Sequence, residues 1–349
     1  MPERQTINSI CIMRMSAIGD AVLTIPLVQS LQYSFPQARI YWITSPIIYS
    51  LLKDLEGVEF IVADKPSSLK DYLALRRQLR KYRFDILLAI QVSLRINLIY
   101  PFIRAERKIG YDRKRARDGQ WLFTNERIAH RICHTLESFL DFADFVGADT
   151  RHWPWGLPID QATQTWAREQ LAAGAGKHIV VVNPAASSVE RTWPEESYVA
   201  LIDELHAHGE VFVVLTGGPS PDELSLGQRI SQACMQAPLN LVGKTKLLQL
   251  AAVLQQANCV VAPDTGPAHI ASAVNTPVVG LYAVASPTLW GPYRSMHLSI
   301  DHHAEAIRTI LNKDPDSVSP MTRVHDRRAM DLITVEEVLD KVRQALSVT

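Results

Sequence analysis

The sequence predicts an α/β protein made of two doubly wound parallel sheets, one in each half of the chain. Three observations carry this. Short apolar runs alternate with helical segments almost throughout the 349 residues. Those runs are continuously apolar, as parallel strands buried on both faces are. A stretch rich in proline, glycine and tryptophan interrupts the pattern once, near the middle.

In the first half, strands are expected over residues 7–13, 39–44, 60–63 and 86–90. A helix after the first strand carries Val22, Ile25, Val28 and Leu31 on one side toward Phe35. Further helices are expected over 49–55 and, strongly basic, over 69–82. Residues 91–135 read as irregular and contain the densest basic stretch, 104–117. A helix over 135–146 ends at Gly147. Residues 151–158 hold two prolines, a glycine and two tryptophans, and this linker composition separates domain 1–155 from domain 156–330.

The second half repeats the alternation. Strands over 178–183, 210–216, 239–241, 259–262 and 278–282 are separated by helices over 195–208, 221–234, 246–256 and 268–274. Residues 301–330 read as polar, irregular and mobile, and a final helix spans 335–346. Two such halves with a cleft between them are the simplest architecture.

Composition narrows the class. A chain with 47% hydrophobic and 21% charged residues has a substantial core. No apolar run approaches the roughly 18 residues of a spanning helix. The N-terminus leads straight into a strand and does not read as a signal peptide. Cys11, Cys133, Cys234 and Cys259 are far apart and form no CxxC pair, so reduced thiols and a cytoplasmic location are expected. Net charge is zero, yet residues 1–150 hold 21 Lys and Arg against 16 Asp and Glu, and the remainder 15 against 20. Either the first half meets an anionic partner or the charges are scattered without meaning. No nucleic-acid partner is expected.

The chemistry should sit in loops at strand ends. The first, Ser16-Ala-Ile-Gly-Asp20, has one glycine where a dinucleotide fingerprint has three, and its acid would repel a pyrophosphate. Asp20 then either caps its helix or acts as a general base. In the second half, Ser187 and Ser188 offer hydroxyls and amides, and Arg191 is a phosphate clamp in waiting. Asp264-Thr265-Gly266-Pro267 opens a helix whose N-terminal amides suit an anion, with His269 one turn on. Gly217-Gly218-Pro219 permits close approach of a ligand, with Asp222 and Glu223 as ribose partners. Each loop also has an ordinary structural explanation; three of them at strand ends in one domain favour a nucleotide-diphosphate site. Gly243-Lys244-Thr245 lacks the upstream glycines of a P-loop, no metal-ligating pattern is present, and His302-His303 reads as a solvated pair.

These motifs resemble those of bacterial lipopolysaccharide heptosyltransferases of glycosyltransferase family 9, across nearly the whole chain. The carriers are Ser16-Ala-Ile-Gly-Asp20, Pro184-Ala-Ala-Ser-Ser-Val-Glu-Arg-Thr-Trp-Pro194 and Asp264-Thr-Gly-Pro-Ala-His269, the last backed by Asn275-Thr-Pro-Val-Val-Gly280. The resemblance implies a GT-B type fold of two Rossmann-like domains, with a C-terminal helix in 331–349 packing back on the first. It implies inverting transfer of L-glycero-D-manno-heptose from ADP-heptose to the Kdo region of the inner core, with no metal or other cofactor. It makes Asp20 the general base. It sets Ser187, Arg191, Asp264, Thr265, Gly266 and His269 around the donor, where Ser188 and either Asp222 or Glu223 would join them. Gly19, Arg113, Lys114 and Arg117 would face an anionic acceptor of the Kdo-lipid A type, with peripheral contact at the cytoplasmic face of the inner membrane, unless the basic stretch is simply a solvated loop. The Ser16–Asp20 form looks closer to enzymes that add the first heptose. Two other readings stay open: a nucleotide-sugar epimerase of the same architecture, and a non-catalytic nucleotide-sugar or glycolipid binding protein.

Overall fold

The computed structural model describes residues 7–207 and 209–347; His208, the last residue of one expected helix, lies outside them. The chain divides into two compact units, Met1–Pro158 and Ile159–Thr349. The boundary falls just beyond the expected one, and Trp155 before it is anchored in the first unit, as expected. Its buried ring donates Nε1 to Val22 O at 3.1 Å, and its backbone N donates to Gln29 Oε1 at 2.9 Å.

The first unit has strands β1 (Ser9–Met13), β2 (Arg39–Thr44), β3 (Val58–Val62), β4 (Phe84–Leu88), β5 (Ala105–Gly110) and β6 (Glu126–Arg127). They form one parallel sheet in the order β3-β2-β1-β4-β5-β6. Helices α1 (Ile18–Ser34), α2 (Pro46–Leu52), α3 (Leu69–Leu79), α4 (Leu94–Asn97) and α5 (Thr135–Phe145) connect them. Helix α2 starts earlier than expected because Ser45-Pro46 supplies the N-terminal residue and a proline in the first turn. The basic stretch 104–117 is not one irregular loop. Part of it is β5, where Arg107 pairs with Glu126 of the edge strand β6 at 2.8 Å, so a run of charged residues hid a strand next to the sheet edge.

The second unit repeats the plan. Strands β7 (His178–Val182), β8 (Val211–Leu215), β9 (Leu239–Asn240), β10 (Cys259–Pro263), β11 (Val278–Tyr282) and β12 (Ile300–Asp301) lie in the order β12-β11-β10-β7-β8-β9, all parallel. Its helices are α6 (Gln161–Gln170), α7 (Glu195–Ala207), α8 (Pro221–Ala233), α9 (Leu247–Gln256), α10 (Gly266–Ala273), α11 (Pro287–Trp290), α12 (His303–Thr309) and α13 (Val335–Ser347). Residues 301–330 are more ordered than expected. They contain α12 and bury His303, Val324, Ala329 and Met330. The histidine pair is not solvated: His303 Nε2 meets Thr322 O at 2.9 Å, and His302 bridges Glu305 and Glu337 at 2.7 and 2.9 Å.

Helix α13 was expected on the first unit. Instead Val338, Leu339, Val342 and Ala345 are buried in the core of the second, with α7 and strands β10 and β11 as neighbours. An apolar stripe of this spacing gains about 1.5–3 kcal/mol for each large side chain it buries, and the second unit offers that surface.

Candidate functional site

In both units the chain leaves its first strand on one side and its fourth on the other. That reversal opens a crevice at the carboxyl ends of β1 and β4, and again at β7 and β10.

At the first crevice lies a pocket of about 590 Å³, lined among others by Arg14, Ser16, Asp20, Lys65, Gln91 and Arg95. Gly19 is buried in the first turn of α1, and Asp20, third in the helix, accepts from Ala17 N at 3.3 Å. Capping is therefore real, but it is not the carboxylate's main partner. Arg14 Nη2 forms an ion pair with Asp20 Oδ2, its Nη1 donates to Ile90 O at 2.9 Å, and its guanidinium lies 5.2 Å from the centre of the Phe139 ring. Both contacts to Asp20 fall on Oδ2; among the described residues Oδ1 has no hydrogen-bond partner. Gln91 ties the two loops together, accepting from Met15 N at 2.6 Å and donating to Ser16 Oγ at 2.9 Å.

Arg14, Lys65 and Arg95 make this a cation-rich pocket with one carboxylate. Burial, then the charges of Arg95 and Arg14, pushes the Lys65 ammonium below its ordinary pKa. An anionic group entering here would relieve that repulsion. Sequence reasoning missed Lys65, Gln91 and Arg95; the usable signal was their place just after β3 and β4. Of the residues assigned to an acceptor, Gly19 adjoins Asp20. Arg113, Lys114 and Arg117 are exposed and are not among the residues lining this pocket. Arg115, between them, is spent on structure: it bonds buried Asp112 at 2.5 Å and donates to Ser138 Oγ and Ala129 O.

At the second crevice, Arg191 joins the two loops as expected of a clamp. Its Nη1 reaches Asp264 Oδ2 at 2.7 Å and Asp264 O at 2.9 Å, while Nη2 donates to Ser187 Oγ. Ser188 precedes the 3-10 turn Val189–Arg191 and accepts from Arg191 N at 3.1 Å through its carbonyl. Thr265 is the N-cap of α10, with Gly266 and Pro267 in its first turn. Thr265 Oγ1 is buried without a hydrogen-bond partner among the described residues. His269 is buried one turn along. At the far end of α10, Arg294 donates to Ser272 O at 3.2 Å and Ala273 O at 3.4 Å, closing the helix C-terminus with a cation. Two residues that sequence reasoning missed brace the serine loop: Asn183 Nδ2 bonds Ala185 O at 3.0 Å, and buried Tyr198 donates to Pro184 O at 3.1 Å.

The two ribose candidates separate. Glu223 accepts from Gly218 N at 2.5 Å and Ser220 Oγ at 3.1 Å, so it closes the glycine loop over the N-terminus of α8. Asp222 beside it is exposed. Among the described residues no cluster of His, Cys, Asp or Glu is arranged to hold a metal ion, and no helix is long and apolar enough to cross a membrane.

Comparison with known proteins follows the same lines. Residues 72–315 match the family described as glycosyltransferase family 9 (heptosyltransferase). The chain is 33% identical over 338 residues to the lipopolysaccharide core heptosyltransferase OpsX of Haemophilus influenzae, covering 97% of this chain and 96% of that one. A family 9 glycosyl transferase from Veillonella parvula has the same fold, with a TM-score of 0.82 at 20% identity and 98% of each chain covered. So does the Escherichia coli heptosyltransferase WaaC in a structure with ADP, with a TM-score of 0.70 at 22% identity, covering 97% of this chain and 99% of that one.

Proposed function

The chain belongs to glycosyltransferase family 9, and from that premise we propose that it moves L-glycero-D-manno-heptose from ADP-heptose to the Kdo region of a lipopolysaccharide inner core, inverting the anomeric centre. The observation that carries this reading is the first-unit pocket, in which a single carboxylate, Asp20, stands among three cations. A lone base suits single displacement, because a double displacement needs a second group as nucleophile. Asp20 Oδ1 takes the proton of the acceptor hydroxyl while that oxygen attacks the anomeric carbon. The bond from that carbon to the diphosphate breaks, and ADP carries away the negative charge.

The second unit supplies the donor site. Arg191 and the first-turn amides of α10 oppose the charge that builds on the leaving diphosphate, and Thr265 Oγ1 donates to it. Asp222 is the acid left for the ribose. This assigns charge neutralisation to the protein rather than to a metal, and full turnover in a chelator is the outcome it requires. Lys65 and Arg95 hold an anionic group of the acceptor glycolipid, placing the reaction at a membrane surface. A relative, the Escherichia coli WaaC enzyme, has been seen with ADP, which supports the nucleotide.

The test is incubation of purified protein with a panel of nucleotide sugars, with and without Kdo-lipid A, read by product mass. The proposal requires a glycolipid one heptose heavier, formed only when both substrates are present. Conversion of the donor without acceptor would establish an epimerase instead, and binding without turnover a non-catalytic receptor.

A further inference from the structure

The first unit carries a surface that its internal packing leaves unexplained. Leu69 and Leu73 are 75% and 50% exposed and lie one turn apart on α3, in line with Arg76 and Arg77, while the opposite face buries Leu75 and Leu79. Leu94 and Leu98 repeat the spacing on and just beyond α4, at 60% and 43%. Trp121 and Leu122, also exposed, end the 3-10 turn Arg117–Leu122.

These segments are joined. Tyr72 of α3 donates to Arg95 O at 2.8 Å. Asn97 of α4 donates to Arg117 O and Asp118 O, each at 3.0 Å, and Leu94 N donates to Asp118 Oδ2 at 2.9 Å. The Arg113 guanidinium lies 5.5 Å from the centre of the Trp121 ring. Asp118, held by Leu94 N, and Asp71, held by the amides of Ser67 and Ser68, keep their charges but are outnumbered by the exposed Lys70, Arg76, Arg77, Arg113 and Arg117. Six exposed apolar side chains therefore share these segments with an excess of cations. An isolated exposed leucine needs no explanation, but a joined basic and apolar surface with an aromatic edge has the composition of an interfacial membrane contact.

We infer that this face of α3, α4 and the 117–122 turn docks the first unit on an anionic lipid bilayer, the apolar side chains entering the headgroup layer and the cations meeting lipid phosphates. Leu94 and Arg95 also line the Asp20 pocket, so the docked face and the pocket share a rim. A lipid-anchored acceptor would then present its sugar to Asp20 without leaving the bilayer. That last step rests on the transferase reading; the docking does not.

The test uses the full chain, without donor or acceptor, in flotation with vesicles of neutral phosphatidylcholine or of phosphatidylcholine with phosphatidylglycerol. The parent protein binds the anionic vesicles, and added salt weakens binding. The pairs Leu69→Gln with Leu73→Gln, Trp121→Gln with Leu122→Gln, and Arg76→Gln with Arg77→Gln each reduce the partition coefficient by about tenfold or more. Met235→Gln, at an exposed position of the second unit, leaves it unchanged. Turnover on a soluble, delipidated acceptor is retained in the three pairs, which shows that they fold. Equal binding of parent and paired variants overturns the inference, as does absence of binding to anionic vesicles. Self-association that the same variants abolish would reassign the face to a protein partner. Vesicle binding by a protein that shows no transferase activity would uphold the docking and overturn the proposed reaction.

Discussion

Replacing Asp20 with asparagine tests the assignment of the base with the least disturbance to the fold. The amide keeps an oxygen that can accept from Ala17 N and from Arg14, so the helix start and the two loops beneath it survive. What is lost is the charge. The Arg14 and Asp20 side chains are 11% and 30% exposed, so weakening their pair costs about 1 kcal/mol of stability rather than the larger figure of a fully buried pair. Catalysis suffers far more. A positioned general base contributes about 10² to 10⁴ in rate, or about 3 to 5 kcal/mol of activation free energy. Turnover under saturating donor and acceptor, followed by ADP release, should fall by that factor. Donor affinity, measured by calorimetry, should stay within about twofold, because the groups proposed to bind it belong to the second unit. Turnover within about tenfold of the parent would falsify the role given to Asp20.

Other expectations follow from the same geometry. Arg191→Lys keeps the charge but cannot span Ser187 and Asp264 as the guanidinium does, so ADP affinity should drop about tenfold in titration calorimetry. Arg191→Met leaves the Asp264 carboxylate, 12% exposed, without its partner and should destabilise the protein by about 3 kcal/mol in denaturant, a loss that Asp264→Asn in the same chain largely restores. Lys65, its pKa lowered by burial and by two neighbouring arginines, should lose its charge at lower pH than an ordinary lysine. The KM for acceptor should therefore rise on the alkaline side, and Lys65→Arg should flatten that rise. His302 bridges Glu305 and Glu337; burial works against its proton, but those two carboxylates outweigh it and raise its pKa. That contribution to stability is present below the unfolded value of about 6.5 and lost as pH rises through the raised folded value. His302→Gln should thus lower the melting temperature near pH 6 and have little effect near about pH 9. An equal loss at both values would refute the charge-based account.

The strand–helix alternation, the motif loops and the family were legible along the chain because they are local. A buried parallel strand announces itself by a run of apolar residues, and a phosphate-type helix start by glycine and proline beside the strand end. Asp20, Arg191 and Asp264 could be picked out this way. Strands β5 and β6 could not, because the edge strand β6 and its neighbour β5 carry charges such as Glu126 and Arg107 that pair across the sheet. Helix α6 and the order in residues 301–330 were missed for a similar reason: their polar composition hid the few side chains that are buried.

What required the tertiary structure was the sorting of like residues into different roles. Ser220-Pro-Asp-Glu223 has the spacing of a capping box, a hint that Glu223 is reserved, but nothing along the chain shows that it also reaches Gly218, or distinguishes Arg115 from Arg113. Only the fold shows that Glu223 closes a glycine loop and Arg115 holds a buried aspartate. The same is true of Arg14, Lys65 and Arg95, which are far apart in sequence and meet because β1, β3 and β4 end at the same edge of one sheet. Periodicity and loop chemistry act over a few residues and can be read from any stretch of chain. A cluster of charges around one carboxylate depends on strand order, which is settled by long-range packing.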